Sequence, residues 1–223
     1  MKELVTFVQR RFRDLADPRK AGPMAAYMKT DMPFYGIPKP QRVPVFHEMR
    51  KRFPIENQRD YQRAVLALWK LPHREEKYAA IHVAQAWPKF ITPASLPLYQ
   101  QLIVEGAWWD FVDDLAIRLA GILWLNHRET ASGVMDTWID HKNMWLRRTA
   151  IIGQIKHKKH TDEERLFDYC LRRAHEKEFF IRKGIGWALR EHAYTNPRKV
   201  KSFLRKHRAK LSPLSLGEAG KHL

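Results

Sequence analysis

Apolar residues in this chain recur at helical spacing almost from end to end, and nowhere do they settle into alternation. Leu4, Phe7, Val8 and Phe12 set the pattern at i, i+3, i+4 and i+8, which is one face of a helix. The same period runs through residues 58–70, 74–87, 94–105, 108–126, 129–140, 144–157, 162–175, 178–194 and 198–208. No run of β-branched residues alternates between turn signals, so no strand is expected. Short breakers such as Leu71-Pro72, Trp87-Pro88 and Asn196-Pro197 separate the periodic stretches. Eleven of the 13 prolines precede residue 100, and residues 33–40 (PFYGIPKP) are expected to form a stiff turn between helices. Thr161, with Glu164 three residues on, has the pattern of a capping box. The fold class is all-α, expected as a single domain over residues 1–223.

A faint repeat gives those helices an order. Trp109, Trp145 and Phe180 lie 36 and 35 residues apart, each near the start of the second helix of a pair. Trp145-Leu146-Arg147-Arg148 matches Phe180-Ile181-Arg182-Lys183 as aromatic, aliphatic, basic, basic. A helix pair recurring at this interval predicts a HEAT-like helical-repeat solenoid, whose units bury their apolar faces only by stacking. Equivalent positions then line up on one concave basic face. Arg147, Arg148, Arg182 and Lys183 would form a ladder of cations suited to a phosphate backbone.

Charge points the same way. With 41 Lys and Arg against 24 Asp and Glu, the chain carries +17. Residues 1–70 hold a net +8, residues 71–146 a net −3 and residues 147–223 a net +12. Such asymmetry favours a polyanionic partner, nucleic acid before membrane. No apolar run approaches the ~20 residues a membrane span needs, and charges every few positions near the start argue against a signal peptide. Cys170 is the only cysteine, which excludes an internal disulfide and a multi-thiolate zinc site. A reducing cytoplasm is the expected compartment.

Several familiar sites can be set aside. Gly184-Ile185-Gly186 lacks the third glycine and the preceding strand of a dinucleotide loop. His157 and His160 stand among Lys156, Lys158 and Lys159, a field that repels a divalent cation, so neither a metal nor a cofactor is expected. Two segments remain. In residues 106–114 (GAWWDFVDD), Trp109 and Asp113 share a helical face, and Asp110 and Asp114 form a second i, i+4 pair. Acids at a helix start suit the macrodipole, which accounts for Asp110 but poorly for Asp113 a turn further in. A carboxylate beside an indole in a basic protein is equipped to stabilise a cation; capping with core packing is the equal alternative. In residues 178–193, Gly184 and Gly186 each weaken a helix by about 1 kcal/mol, which close approach of a helix or a ligand would justify. Trp187 beside them is either core or the far wall of a cleft whose near wall is Trp109.

Taken together, these segments resemble the AlkD-type DNA alkylation repair family of HEAT-like alkylpurine DNA glycosylases. The resemblance covers nearly the whole chain. It is carried by residues 34–42 (FYGIPKPQR), 108–113 (WWDFVD), 145–151 (WLRRTAI), 179–191 (FFIRKGIGWALRE), 195–197 (TNP) and 211–215 (LSPLS). Val43 departs from the second basic residue found there in several members. The resemblance implies a monomeric, monofunctional glycosylase that removes cationic alkylpurines such as 3-methyladenine and 7-methylguanine from double-stranded DNA, without cofactor or metal. It implies that Asp113 is the catalytic carboxylate, that Trp109 and Trp187 are aromatic walls, and that Arg148 contacts phosphate, with Tyr27 a further DNA-facing position. Arg147, Arg182, Lys183 and Arg190 complete the expected DNA contacts. A non-catalytic helical-repeat module that binds damaged or structured DNA is the alternative from a different class.

Overall fold

The computed structural model describes residues 1–223, and every regular element is helical. The chain falls into two compact units, Met1–Ile91 and Thr92–Leu223. No helix is long and apolar enough to cross a membrane.

In the first unit, α1 (Lys2–Asp14) buries Leu4, Phe7, Val8 and Phe12, the face its spacing predicts. Two helices that the periodicity does not show follow, α2 (Pro18–Met28) and α3 (Lys39–Arg52). Pro18 and Pro40 sit in first turns, where the missing N–H would lack a partner anyway. Asp17 caps α2 by accepting the Arg19 N–H at 3.2 Å, yet α2 buries none of its side chains. Of the expected turn over residues 33–40, residues 33–38 form it and Lys39 and Pro40 already belong to α3; its anchor is a carboxylate. Glu75 is fully buried and accepts the backbone N–H groups of Tyr35, Gly36 and Ile37 at 2.9–3.0 Å. Gly36 has φ +85°, and a Cβ there would lie 2.1 Å from the Asp17 carbonyl oxygen, so only glycine fits. Next come α4 (Gln58–Trp69) and α5 (Arg74–Ala86), tied by the Tyr61 hydroxyl donating to the Ala84 carbonyl at 2.9 Å.

The second unit opens with α6 (Leu96–Gly106), which ends at Ala107 in the left-handed region. Helix α7 (Trp109–Leu115) runs through one π-helical turn (Ala116–Ala120) into α8 (Gly121–Asn126). Then follow α9 (Arg128–Trp138), α10 (Met144–Ile152), α11 (Glu163–Arg172), α12 (Phe179–Ala193), α13 (Pro197–Lys206) and α14 (Pro213–Ala219). Helix α10 stops at Ile152, short of the expected residue 157, because Gly153 begins a series of turns. Asp162, not Thr161, caps α11: its side chain accepts the Arg165 N–H at 3.1 Å, while the Thr161 hydroxyl turns back to the Lys158 carbonyl.

The aromatic repeat is real in space but one residue out of register. Trp108, not Trp109, meets Trp145 and Phe180, with ring centroids 6.2 and 5.4 Å away, and Trp145 meets Phe180 at 5.0 Å. The two glycines of α12 are also explained by packing. A Cβ on Gly186 would lie 2.5 Å from the Glu218 Cβ and 2.9 Å from the Ser215 carbonyl oxygen, so α14 rests directly on that backbone. A Cβ on Gly184 would press the Arg148 guanidinium at 3.1 Å. The glycines make room for a helix and for an arginine.

Candidate active site

The site begins with the turn at Ala107. Its left-handed backbone, followed by extended Trp108, directs the Trp108 ring into the aromatic cluster. Trp109 then starts α7 half-buried, outside that cluster. One turn on, Asp113 faces away from the helix end, and it caps nothing. Its carboxylate is gripped by Arg148 of α10, with Nε to Oδ1 and Nη2 to Oδ2 both at 2.8 Å. Paired parallel bonds of this kind fix a carboxylate in one plane. Capping therefore does not explain Asp113.

Arg148 is 3% exposed and has a third bond, from Nη1 to the Phe180 carbonyl oxygen at 2.5 Å. One guanidinium thus ties α7, α10 and α12 together. On α12, Phe180, Gly184 and Trp187 fall at i, i+4 and i+7, one stripe of the helix. Two of the three touch Arg148, and Trp187 extends the stripe. The Trp187 ring is half-buried, and its Nε1 donates to the Glu191 carboxylate at 3.2 Å. Trp109, Asp113 and Trp187 are thus linked to one buried arginine through their helices.

Asp113 retains 18% of its side-chain exposure despite this grip. Arg148 occupies two of about four lone-pair directions on the carboxylate, which leaves the others for a substrate group or a water. Burial pushes the Asp113 carboxyl above its ordinary value. The Arg148 hydrogen bonds and charge pull it back, Asp114 and Asp110 push up again, and the net direction is upward. Asp114 itself turns aside to Arg118 at 2.9 Å.

The expected DNA contacts are placed very differently from one another. Arg147 makes two 2.8 Å bonds to Glu176 and donates to the His141 and Lys142 carbonyls, a fixed brace inside the unit. Arg148 is engaged as described. Lys183 and Arg190 both pair with Glu218. Arg182 is half-buried, and its Nε makes no hydrogen bond. Tyr27 lies in the first unit on α2, strongly exposed, beside a mostly apolar cleft of about 430 Å³ lined also by Met24, Phe34 and Tyr78. The ladder of free cations inferred from the repeat is instead largely a ladder of ion pairs. Sequence reasoning overlooked the acids Glu176, Glu191 and Glu218, which carry no local motif.

Two other candidates are plainly structural. His157 is buried, with Nε2 2.8 Å from the Gly121 carbonyl oxygen, and burial holds its ring down to about 4. Cys170 is fully buried and its thiol is pushed well up, so it is not poised as a thiolate.

A partly exposed carboxylate gripped by a buried arginine, on stacked helices of a strongly basic chain, fits a DNA-handling protein. The comparisons make the class specific. A family model described as DNA alkylation repair enzyme matches residues 8–223, and the chain belongs to that family. A predicted DNA alkylation repair enzyme from Enterococcus faecalis is 28% identical with a TM-score of 0.86, over 93% of this chain and 96% of that one. AlkD2 from Streptococcus mutans shares the fold at 14% identity and a TM-score of 0.65, over 91% and 99% of the two chains. The protein smu.31 from Streptococcus mutans UA159 does so at 15% and 0.63, over 83% and 94%. A search of curated proteins returns no match.

Proposed function

We propose that this DNA alkylation repair protein is a monofunctional glycosylase that hydrolyses the N-glycosidic bond of cationic alkylpurines, 3-methyladenine and 7-methylguanine, in duplex DNA. It acts as a monomer in the cytoplasm. The observation that carries this reading is Asp113: a carboxylate held in one plane by a buried arginine, yet still open to solvent.

Alkylation at N3 or N7 gives the purine a positive charge and makes it a good leaving group. As the C1′–N bond breaks, its electron pair leaves with the base, whose charge is neutralised. The sugar acquires oxocarbenium character, as in glycoside hydrolysis. Asp113 supplies the anion that stabilises this cation, already oriented by Arg148 before reaction begins. Water adds to C1′, and its proton passes to the carboxylate, whose raised pKa makes it the better base. The faces of Trp109 and Trp187 offer further stabilisation through their ring quadrupoles. No lysine nucleophile is needed, so the strand is left uncut.

Incubation of the purified protein with methylated duplex DNA should release free 7-methylguanine and 3-methyladenine into the supernatant. Retention of all alkylpurines in the DNA, under conditions where the protein binds it, would reduce the protein to a binding module.

A further inference from the structure

The tryptophans of the second unit are held in place by different means. Trp108 and Trp145 lock with Phe180 into a cluster whose ring centroids lie 5.0–6.2 Å apart. Trp124 is fully buried, stacks on Tyr169 at 6.2 Å and donates its Nε1–H to the Ser132 hydroxyl at 2.9 Å. Trp187 stands outside both clusters, half-buried on α12. Three residues before it on the same face is Gly184, which offers no side chain to pack against. The torsion about Cβ–Cγ that sets the plane of an indole is broad, so a contact has to choose it. For Trp187 that contact is the carboxylate one turn on, where Nε1–H donates to Glu191 Oε1 at 3.2 Å.

Glu191 is itself tied to a neighbouring helix. Its Oε1 also faces Arg190 Nη2, at 3.4 Å. The other terminal nitrogen of Arg190 pairs with Glu218, 4% exposed on α14, which also meets Lys183 and Lys221. Helix α14 in turn rests on the Gly186 backbone, and the Ser215 hydroxyl donates to the Arg182 carbonyl at 2.8 Å. The acceptor of the indole N–H is therefore anchored from outside its own helix.

We propose that Glu191 is a positioning residue for excision: its carboxylate fixes the plane of Trp187 so that the ring face meets the cation formed at C1′. Glu191 touches no substrate and acts only through the ring. The attraction of an aromatic ring for a cation acts through its face, within ~6 Å of the centroid. The edge of the ring carries the opposite sign, so a ring that swings loses the effect. An indole N–H is a donor only, and an acceptor at Nε1 is the hydrogen bond that can hold the plane.

This inference rests on the glycosylase reading, and its test keeps the two apart. Single-turnover excision of 7-methylguanine, affinity for undamaged duplex, thermal melting and the indole ¹H–¹⁵N spectrum are measured for the wild type, Glu191→Ala and Glu191→Gln. Both substitutions are also made in a Trp187→Phe background. Glu191→Ala should slow excision by about tenfold, as small misplacements of a participating group do, with no loss of affinity for duplex. Glu191→Gln offers an amide oxygen to the same N–H and should recover the rate to within about twofold. The Trp187 indole signal should move in the Ala variant and stay near its wild-type position in the Gln variant. Once Trp187 is phenylalanine, neither change at Glu191 should slow excision further. Wild-type excision by folded Glu191→Ala, with only a lower melting temperature, would overturn the positioning role. So would an equal loss of rate in the Trp187→Phe background. A wild type that binds duplex but releases no alkylpurine would overturn the glycosylase reading itself, a result that no Glu191 variant can produce.

Discussion

Two carboxylates, one in each unit, stand in opposite surroundings, and the difference shows how a group used up by the fold differs from one left available. Glu75 has no exposure, and its oxygens accept three backbone N–H groups from one loop. It is saturated and screened, and the loop of residues 33–38 depends on it. Asp113 takes both of its bonds from a single side chain and keeps a face to solvent. A carboxylate that holds a fold is used up by the fold. One left half open, oriented by a partner that is itself buried, is free to meet a developing positive charge.

The sharpest way to break this contrast is to remove each charge with the isosteric amide. Asp113→Asn should lower single-turnover excision of 7-methylguanine by roughly a hundredfold to a thousandfold, the scale of losing one preorganised electrostatic group. It should also lower stability, by about 3 kcal/mol or more, because Arg148 is left buried without its anion. Excision at the wild-type rate by the folded Asn variant would return Asp113 to a structural role. Glu75→Gln should behave in the opposite sense. The amide keeps its oxygen toward the Gly36 and Ile37 N–H groups and turns an NH2 on the Tyr35 N–H. One charge-assisted bond worth ~1.5–3 kcal/mol is lost and the other two lose their charge, so denaturant midpoints fall steeply. Below its melting temperature the variant should excise at the wild-type rate, and a rate loss larger than the unfolded fraction would blur the comparison.

A smaller effect is expected from Arg148→Lys, which keeps the charge but loses the two-pronged grip. Excision should fall by about tenfold as the carboxylate loses its fixed plane, and equal rates would show that the fork does not orient Asp113. The smallest effect is in the pH profile. Excision requires ionised Asp113, so its rate should rise with pH through the Asp113 pKa and then level off. Because that pKa is raised by burial, the acid limb should lie above the position of an ordinary aspartate, near 3.8. In Arg148→Lys, with the lowering hydrogen bonds weakened, the limb should move further up. A limb at or below the ordinary position would contradict the environment described for Asp113.

Much of this molecule is legible in its sequence, and the failures follow a rule. Helices with an apolar stripe, such as α1 and α12, can be read directly because their period reports the face they bury. Helix α2 escapes because it buries no side chain and so carries no stripe. Helix α3 escapes because Pro40 and Pro44 suggest a break. Pro40 sits in the first turn, where proline is tolerated, while Pro44 lies inside the helix and is carried there by the tertiary packing of Val45, Phe46 and Met49. Trp109 and Asp113 could be singled out as a pair because an i, i+4 relation is local. The grip on Asp113 could not, since its partner lies 35 residues away.

That interval was nevertheless present in the sequence. Asp113, Arg148, Lys183 and Glu218 are spaced 35 residues apart, and the structure pairs the first with the second and the third with the fourth. The sequence by itself determined the helices that carry an apolar stripe, the period of their stacking, the basic excess and the identity of the candidate carboxylate, because each is a property of local spacing or of composition. Only the tertiary structure decided that Trp108 rather than Trp109 enters the aromatic cluster, that Arg148 closes on Asp113, and that Glu218 gathers three cations. A repeat brings equivalent positions near one another, but which side chains finally meet is set by backbone turns such as Ala107 and by glycine contacts such as Gly186, to fractions of an ångström. Hydrogen bonds and ion pairs form only within that tolerance.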